Sequence, residues 1–227
     1  MHSNLPLSGY GYGVVDQQKV LRNTYWLLSL SMIPTVIGAI VGVQLRFSLG
    51  GGLLQFLLFM GIAFAFFYGI ERNKNSGVGV ALLLAFTFFM GLMLSGILRK
   101  ALGFANGGAL IAVAAGGTGV IFASLATLAT VTKKDFSFLG KFLFIGVILL
   151  LVASVANIFL QMPVLMLTIS AIAVLIFSAY ILYDISQIVN GGETNYITAA
   201  LNVYLDIYNL FTSLLNLLMA FSGNSRD

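Results

Sequence analysis

Two acidic residues lie inside long apolar stretches of the sequence, and they are the first candidates for chemistry. Asp184 lies near the end of the apolar stretch at residues 178–189, and Asp206 lies well inside the next stretch, at residues 196–221. An ionised carboxylate at the centre of a bilayer costs ~3 kcal/mol or more, so such residues usually face a helix bundle, a partner or water. We therefore take Asp184 and Asp206 as the leading functional residues.

Asp206 belongs to a polar stripe on an otherwise apolar helix. The members of this stripe, which recur at intervals of 4, 3, 4 and 3, are Asn202, Asp206, Asn209, Ser213 and Asn216. That spacing places them on one helical face, which should point to other helices or water rather than to lipid. If consecutive helices run antiparallel, the side chains of Asp184 and Asp206 both lean towards the N-terminus of their own helix. The two carboxylates are therefore expected to converge.

The composition excludes a soluble domain. Hydrophobic residues make up 59% of the 227 residues and charged residues only 8%, and the mean hydropathy is +1.03. Soluble domains carry about a quarter charged residues, so the chain is predicted to be an all-α integral membrane protein whose main partner is the lipid bilayer. The basic residues are scattered singly and in pairs, which is typical of topology signals and not of nucleic-acid binding. The absence of cysteine excludes disulfides and thiolate metal sites.

Seven apolar runs predict seven transmembrane helices, at residues 23–44, 51–70, 77–98, 107–131, 138–160, 164–189 and 196–221. Residues 1–22, rich in Gly, Ser, Asn and Tyr, are predicted to be a flexible tail with at most a short surface helix near residues 14–21, and residues 222–227 a short C-terminal tail. Small residues at helical spacing predict close-packing faces on three helices: Ser31, Thr35, Gly38 and Gly42 on the first, Thr87, Gly91 and Ser95 on the third, and Ala112, Gly116, Gly119 and Ala123 on the fourth.

The distribution of Lys and Arg predicts the orientation. The N-terminal side of the membrane holds seven of these residues and the other side four. The positive-inside rule then places the N-terminus in the cytoplasm and the C-terminus outside. Arg72, at the end of the second helix, would share the membrane face of Asp184. It could pair with that acid, or it could simply anchor its helix at the lipid headgroups.

A convergent acid pair suggests a gate. Two carboxylates in a sheltered site cannot both stay ionised cheaply, so they are expected to share a proton and to bridge their helices. Without that proton the pair would repel itself and offer oxygens to a hard cation, so Asp184 and Asp206 are a possible weak Ca²⁺ site, with no other cofactor predicted. The competing interpretation is that each acid pairs with a neighbour only to hold the bundle together.

A catalytic alternative is an intramembrane aspartyl protease, which also uses two membrane aspartates. Tyr183 and Asp184 fit half of that signature. Asp206 does not fit the other half, because it lacks flanking glycines that would unwind the helix for a substrate strand. The sequence therefore predicts a protein that is not an enzyme.

Four stretches together carry a family resemblance: KVLRNTY at 19–25, KDFSFL at 134–139, ANIFLQ at 156–161 and NGGETNY at 190–196. With them the chain resembles the transmembrane Bax-inhibitor-motif family, similar to Bax inhibitor-1, and most closely its bacterial branch. The resemblance implies a seven-helix fold with the last helix central, in a bacterial inner membrane.

The resemblance also implies roles for individual residues. In family members that leak Ca²⁺, an aspartate pair on the last two helices senses pH, and Asp184 and Asp206 match it. An arginine latch at the end of the second helix is matched best by Arg72. The bacterial branch implies a different function, binding to the membrane protease FtsH and slowing its degradation of other membrane proteins, with the cytoplasmic N-terminal tail as the segment that the protease seizes.

Overall fold

Seven long helices make up the part of the chain that the structure describes. This computed structural model describes residues 9–223, and the side chains of residues 17–223. The helices are α1 (Gly9–Gln44), α2 (Gly52–Asn73), α3 (Gly77–Leu102), α4 (Gly107–Thr132), α5 (Leu139–Leu160), α6 (Pro163–Val189) and α7 (Tyr196–Gly223). Each is long and apolar enough to cross a membrane, and residues 9–223 contain no strand. The predicted all-α bundle of seven membrane helices is confirmed.

Helix α1 begins earlier than the sequence predicts. Residues 9–22, expected to belong to a flexible tail at residues 1–22, continue the membrane helix without a break. Each glycine in this segment weakens a helix by only about 1 kcal/mol, and no proline interrupts α1 before Pro34. The segment also has a partner, since Gln17 lies against Gly191 in the loop between α6 and α7. Residues 1–8 and 224–227, which hold the rest of the two predicted tails, lie outside the described residues.

Helices α1 and α3 pack most closely, through the two faces of small residues that the sequence predicts. A Cβ added at Gly42 on α1 would lie 2.7 Å from the Cβ of Ser95 on α3. A Cβ added at Gly91 on α3 would collide with the carbonyl of Thr35 on α1. Because only glycine lets the two backbones approach this closely, α1 and α3 form one rigid pair.

The predicted packing face of α4 is wrong. Gly116 and Gly119 have open space where a Cβ would point, and Ala112 and Ala123 are exposed as well. The helix buries a different face, with Leu110, Ala114, Thr118, Ala126 and Ala129. Small residues occur on every side of α4, so their spacing alone could not identify the buried side.

Helix α7 lies at the centre of the bundle, as the resemblance implied. It contacts α1, α2, α3, α4 and α6, and of the described helices only α5 does not touch it. The Tyr204 hydroxyl lies 2.9 Å from Thr35 Oγ1 on α1, and the Tyr208 hydroxyl donates to the Met90 carbonyl of α3 at 3.3 Å. One face of α7 is therefore fixed to the α1–α3 pair, and the polar stripe lies on the opposite face.

Candidate functional site

The structure brings Asp184 and Asp206 together. Their carboxyl groups interact directly between α6 and α7, close enough to share a hydrogen bond. Asp206 is only 5% exposed, and Asp184 is partly exposed. An ionised carboxylate can only accept hydrogen bonds, so this contact needs a proton on one of the two groups. The Oδ2 atom of Asp206 is buried, and no described group donates a hydrogen bond to it.

The acid pair lies in the wall of a cavity of about 970 Å³. Residues of α2, α5, α6 and α7 surround this acid cavity, and they include every member of the predicted stripe: Asn202, Asp206, Asn209, Ser213 and Asn216. The cavity exists because α5 does not reach α7, which leaves the polar face of α7 uncovered. The stripe therefore faces this cavity.

The acid cavity extends along α6 over a length close to the thickness of the bilayer core. Met166 and Asp184 both line it, and they are 18 residues apart in α6. At 1.5 Å per residue this separation is ~27 Å along the helix, close to the ~30 Å thickness of the hydrocarbon core of a bilayer. The polar stripe of α7 lines the cavity along this distance. Asn209, for example, donates its amide to the Leu205 carbonyl at 2.8 Å, so its oxygen is left to face the cavity.

Arg72 does not join the acid pair in this structure. It is exposed at the end of α2, and its Nη1 donates to the Tyr68 hydroxyl at 3.2 Å. Among the described residues the only ion pair joins Lys74 to Glu71. The charge that acts on Asp184 from outside the pair is negative, that of Glu193 in the α6–α7 loop. The latch role of Arg72 stays a prediction from the resemblance.

Two loops fix the ends of the acid-bearing helices. The Asn195 side chain caps α7 by accepting the backbone N–H of Ile197 at 2.9 Å, and its amide donates to the Lys74 carbonyl at 2.9 Å. Ser186, two residues after Asp184, donates to the Lys134 carbonyl and accepts from the backbone N–H of Phe136, both at 3.1 Å.

These two positioning residues lie in or against stretches that carry the family resemblance, yet they are not among the site residues predicted from the sequence. Asn195 could have been found, because Asn is a preferred N-cap residue immediately before an apolar helix. Ser186 could not, because its partners lie about 50 residues away in the sequence.

The pair has limited capacity for a metal ion. Ca²⁺ takes six to eight oxygen ligands in proteins, and within the described residues no third Asp, Glu, His or Cys joins Asp184 and Asp206 in a cluster. The two carboxylates, together with the amide oxygens of Asn202 and Asn209, could hold a cation in passing. They do not form the closed cage of a storage site.

Comparison with known proteins agrees with these features. The family described as "Inhibitor of apoptosis-promoting Bax1" matches residues 17–223. The modulator of FtsH protease YccA of Escherichia coli K12 is 41% identical over 205 residues, which cover 90% of this chain and 91% of that protein. An uncharacterised membrane protein of Vibrio cholerae is 40% identical over 210 residues, 92% of this chain and 93% of that protein. An uncharacterised protein of Neisseria meningitidis is 39% identical over 218 residues, 94% and 96% of the two chains. The resemblance is thus confirmed, and this multi-pass membrane protein belongs to the Bax inhibitor family.

Proposed function

We propose that this protein is a pH-sensitive cation leak whose gate is the Asp184–Asp206 pair. The observation that supports this best is that two acids interact directly in the wall of a cavity nearly as long as the membrane is thick. Polar and acidic groups at membrane depth are expensive, and they usually mark ion or substrate paths. A bundle that needed only packing would be more stable with apolar side chains on this face of α7.

The proposed gate follows from the chemistry of a shared proton. With the proton in place, the hydrogen bond ties α6 to α7 and closes the space between them. When the proton leaves, two negative charges lie within hydrogen-bond distance of each other and repel. The helices then separate at this level, and the carboxylates become ligands for a cation. Acid therefore closes the leak and alkali opens it.

Ca²⁺ is the cation that fits this site best. Carboxylate and amide oxygens are hard ligands, which Ca²⁺ prefers. A leak also requires weak binding, because the ion must leave as readily as it enters. A pair with few additional ligands meets that requirement.

The orientation of the leak is part of the proposal. The excess of Lys and Arg on the N-terminal side puts the N-terminus and the acid pair near the cytoplasm, and the C-terminus in the periplasm. A relative of Escherichia coli O6 is named inner membrane protein YccA, which supports placement in a bacterial inner membrane. The gate would then respond to cytoplasmic pH.

The test is Ca²⁺ flux into proteoliposomes across a pH series. The native protein should leak more as the pH rises, and Asp184→Asn and Asp206→Asn should each remove that pH dependence. Glu71→Gln is a matched control, since it removes an exposed acid at the same end that does not line the acid cavity. Flux that keeps its pH dependence in both aspartate variants would reject the gate, and native protein without flux would reject the leak.

A second function is supported by the relative that is named a modulator of FtsH protease and is similar along most of its length. We propose that this chain also binds a membrane protease of that kind and changes the turnover of other membrane proteins. This role needs no chemistry by the chain itself, in line with a protein that is not an enzyme. Helix α7 is helical throughout Tyr196–Gly223, so it offers no extended backbone at Asp206 to bind a peptide for cleavage.

Removal of the N-terminal segment separates the two functions. Deletion of residues 2–16 spares Gln17, which rests on the α6–α7 loop at Gly191. The protease role predicts altered turnover of a membrane substrate in cells, with unchanged Ca²⁺ flux from the purified variant. Unchanged turnover would count against this segment as the point of attachment.

A further inference from the structure

A second cavity lies at the end of the bundle opposite the acid pair. Its volume is about 580 Å³, and its polar lining residues are Ser48, Gln55, Arg99, Lys100 and Asn216. It shares Met166 and Asn216 with the acid cavity. The second cavity, which we call the basic vestibule, therefore adjoins the far end of the acid cavity.

The positive charge in the basic vestibule is fixed in place. Arg99 donates from Nη1 to the Gly42 carbonyl at 3.0 Å and from Nη2 to the Phe47 carbonyl at 3.1 Å. These carbonyls hold the guanidinium against the end of α1, but they do not neutralise its charge. Lys100 follows directly and is exposed.

No described carboxylate balances these two cations. Neither Arg99 nor Lys100 forms an ion pair within residues 17–223, and no acid lines the vestibule. The described acids outside the pair lie towards the other end of the bundle: Glu71, Asp135 and Glu193. Within residues 17–223, the end of the bundle with the acid pair therefore carries the acids, and the end with the basic vestibule carries only cations.

We propose that the basic vestibule is an electrostatic filter, which concentrates small inorganic anions and opposes the passage of cations through the acid cavity. The part that concerns cation passage rests on the leak proposed above. A unit charge about 8 Å away in low-salt water changes the local concentration of a monovalent ion roughly twofold. The charge of Lys100 raises the local concentration of anions and lowers that of cations, each about twofold. Its loss should therefore change the ratio of anion to cation concentrations about fourfold.

The chain contains no cysteine, so a single introduced thiol can report this potential. We would make Gln55→Cys, which lines the vestibule but not the acid cavity, and compare its rates of reaction with an anionic and a cationic methanethiosulfonate reagent. Each rate is divided by the rate of the same reagent with a small free thiol, and the ratio of the two quotients reports the local potential, because the reactivities of the protein thiol and of the reagents cancel. We expect this ratio to favour the anionic reagent, and Lys100→Gln to reduce it about fourfold at low salt.

Arg46→Gln is the matched control. Arg46 is exposed at the same end of the bundle but lines neither cavity, so its loss should change the ratio less than the loss of Lys100. A ratio near one in the parent, or an equal effect of the two substitutions, would overturn the filter.

Flux tests the remaining part of the proposal. Lys100→Gln should raise Ca²⁺ flux a few-fold, since the vestibule would repel a divalent cation less, and an unchanged flux in a conducting protein would overturn the opposition to cations. The thiol measurement decides the filter whether or not the protein conducts, so failure of the leak and failure of the filter are told apart.

Discussion

Asp206→Asn should remove the fall in stability that we expect between about pH 5 and about pH 9. In the native chain the contact between Asp184 and Asp206 requires a shared proton. An asparagine at position 206 can donate its own N–H to the Asp184 carboxylate, so the contact persists without that proton. The substitution preserves the shape of the side chain and changes only the source of the hydrogen.

The sign and size of the effect follow from proton linkage. In the unfolded chain both carboxyls ionise near pH 4, so at neutral pH the folded state binds about one proton more than the unfolded state. Stability therefore falls as the pH rises, by at most about 1.4 kcal/mol per pH unit for one proton. The total loss is limited by the repulsion of two adjacent carboxylates, about 4 kcal/mol at an effective dielectric constant near 20.

The assay is the midpoint of thermal denaturation in detergent, measured from about pH 5 to about pH 9, the range in which ordinary carboxyls are ionised. The native midpoint should fall with rising pH, and that of Asp206→Asn should stay level. Glu193→Gln removes a neighbouring acid but keeps the pair, so it should retain the slope. A native protein without the slope, or an Asp206→Asn variant with the native slope, would refute the shared proton.

Three further predictions use the same assay. Gly91→Ala should destabilise the protein by roughly 1–3 kcal/mol, because the new Cβ collides with an α1 carbonyl, while Gly116→Ala, which has open space, should change little. Tyr204→Phe should cost about 1 kcal/mol through loss of its hydrogen bond to α1. Hydrogen bonds from Ser137 hold the pKa of the Asp135 carboxyl below its usual value, so the stabilisation is present above about pH 4 and lost as the pH falls. Asp135→Asn should therefore lower the midpoint at neutral pH, with a difference that disappears in acid.

The helices and the contact between Asp184 and Asp206 could be predicted from the sequence, because the thickness of the bilayer and the period of the α-helix determine them. The bilayer fixes the length of an apolar run, so α7 was expected at residues 196–221 and spans Tyr196–Gly223. The helical period places the stripe on one face, and antiparallel neighbours bring Asp184 towards Asp206. Neither inference needs knowledge of the other helices.

The features that were missed depend on several helices at once. Arg72 is exposed and donates to the Tyr68 hydroxyl, a partner that the sequence did not indicate. The buried face of α4 is set by its neighbours, since small residues occur all around it. The basic vestibule gathers residues from α2, α3, α6, α7 and the loop after α1, and no local pattern relates Gln55 to Lys100.

The packing explains why a gate would lie between α6 and α7. Helices α1 and α3 lock together through glycine, and Tyr204 and Tyr208 fasten one side of α7 to them. On the other side α5 does not reach α7, and α2 and α5 are the least buried of the described membrane helices. A change at the acid pair would thus move α6 against a fixed α7, into space that already exists. Since moving α1 or α3 would break close backbone contacts, we expect the separation to occur by a shift of α6.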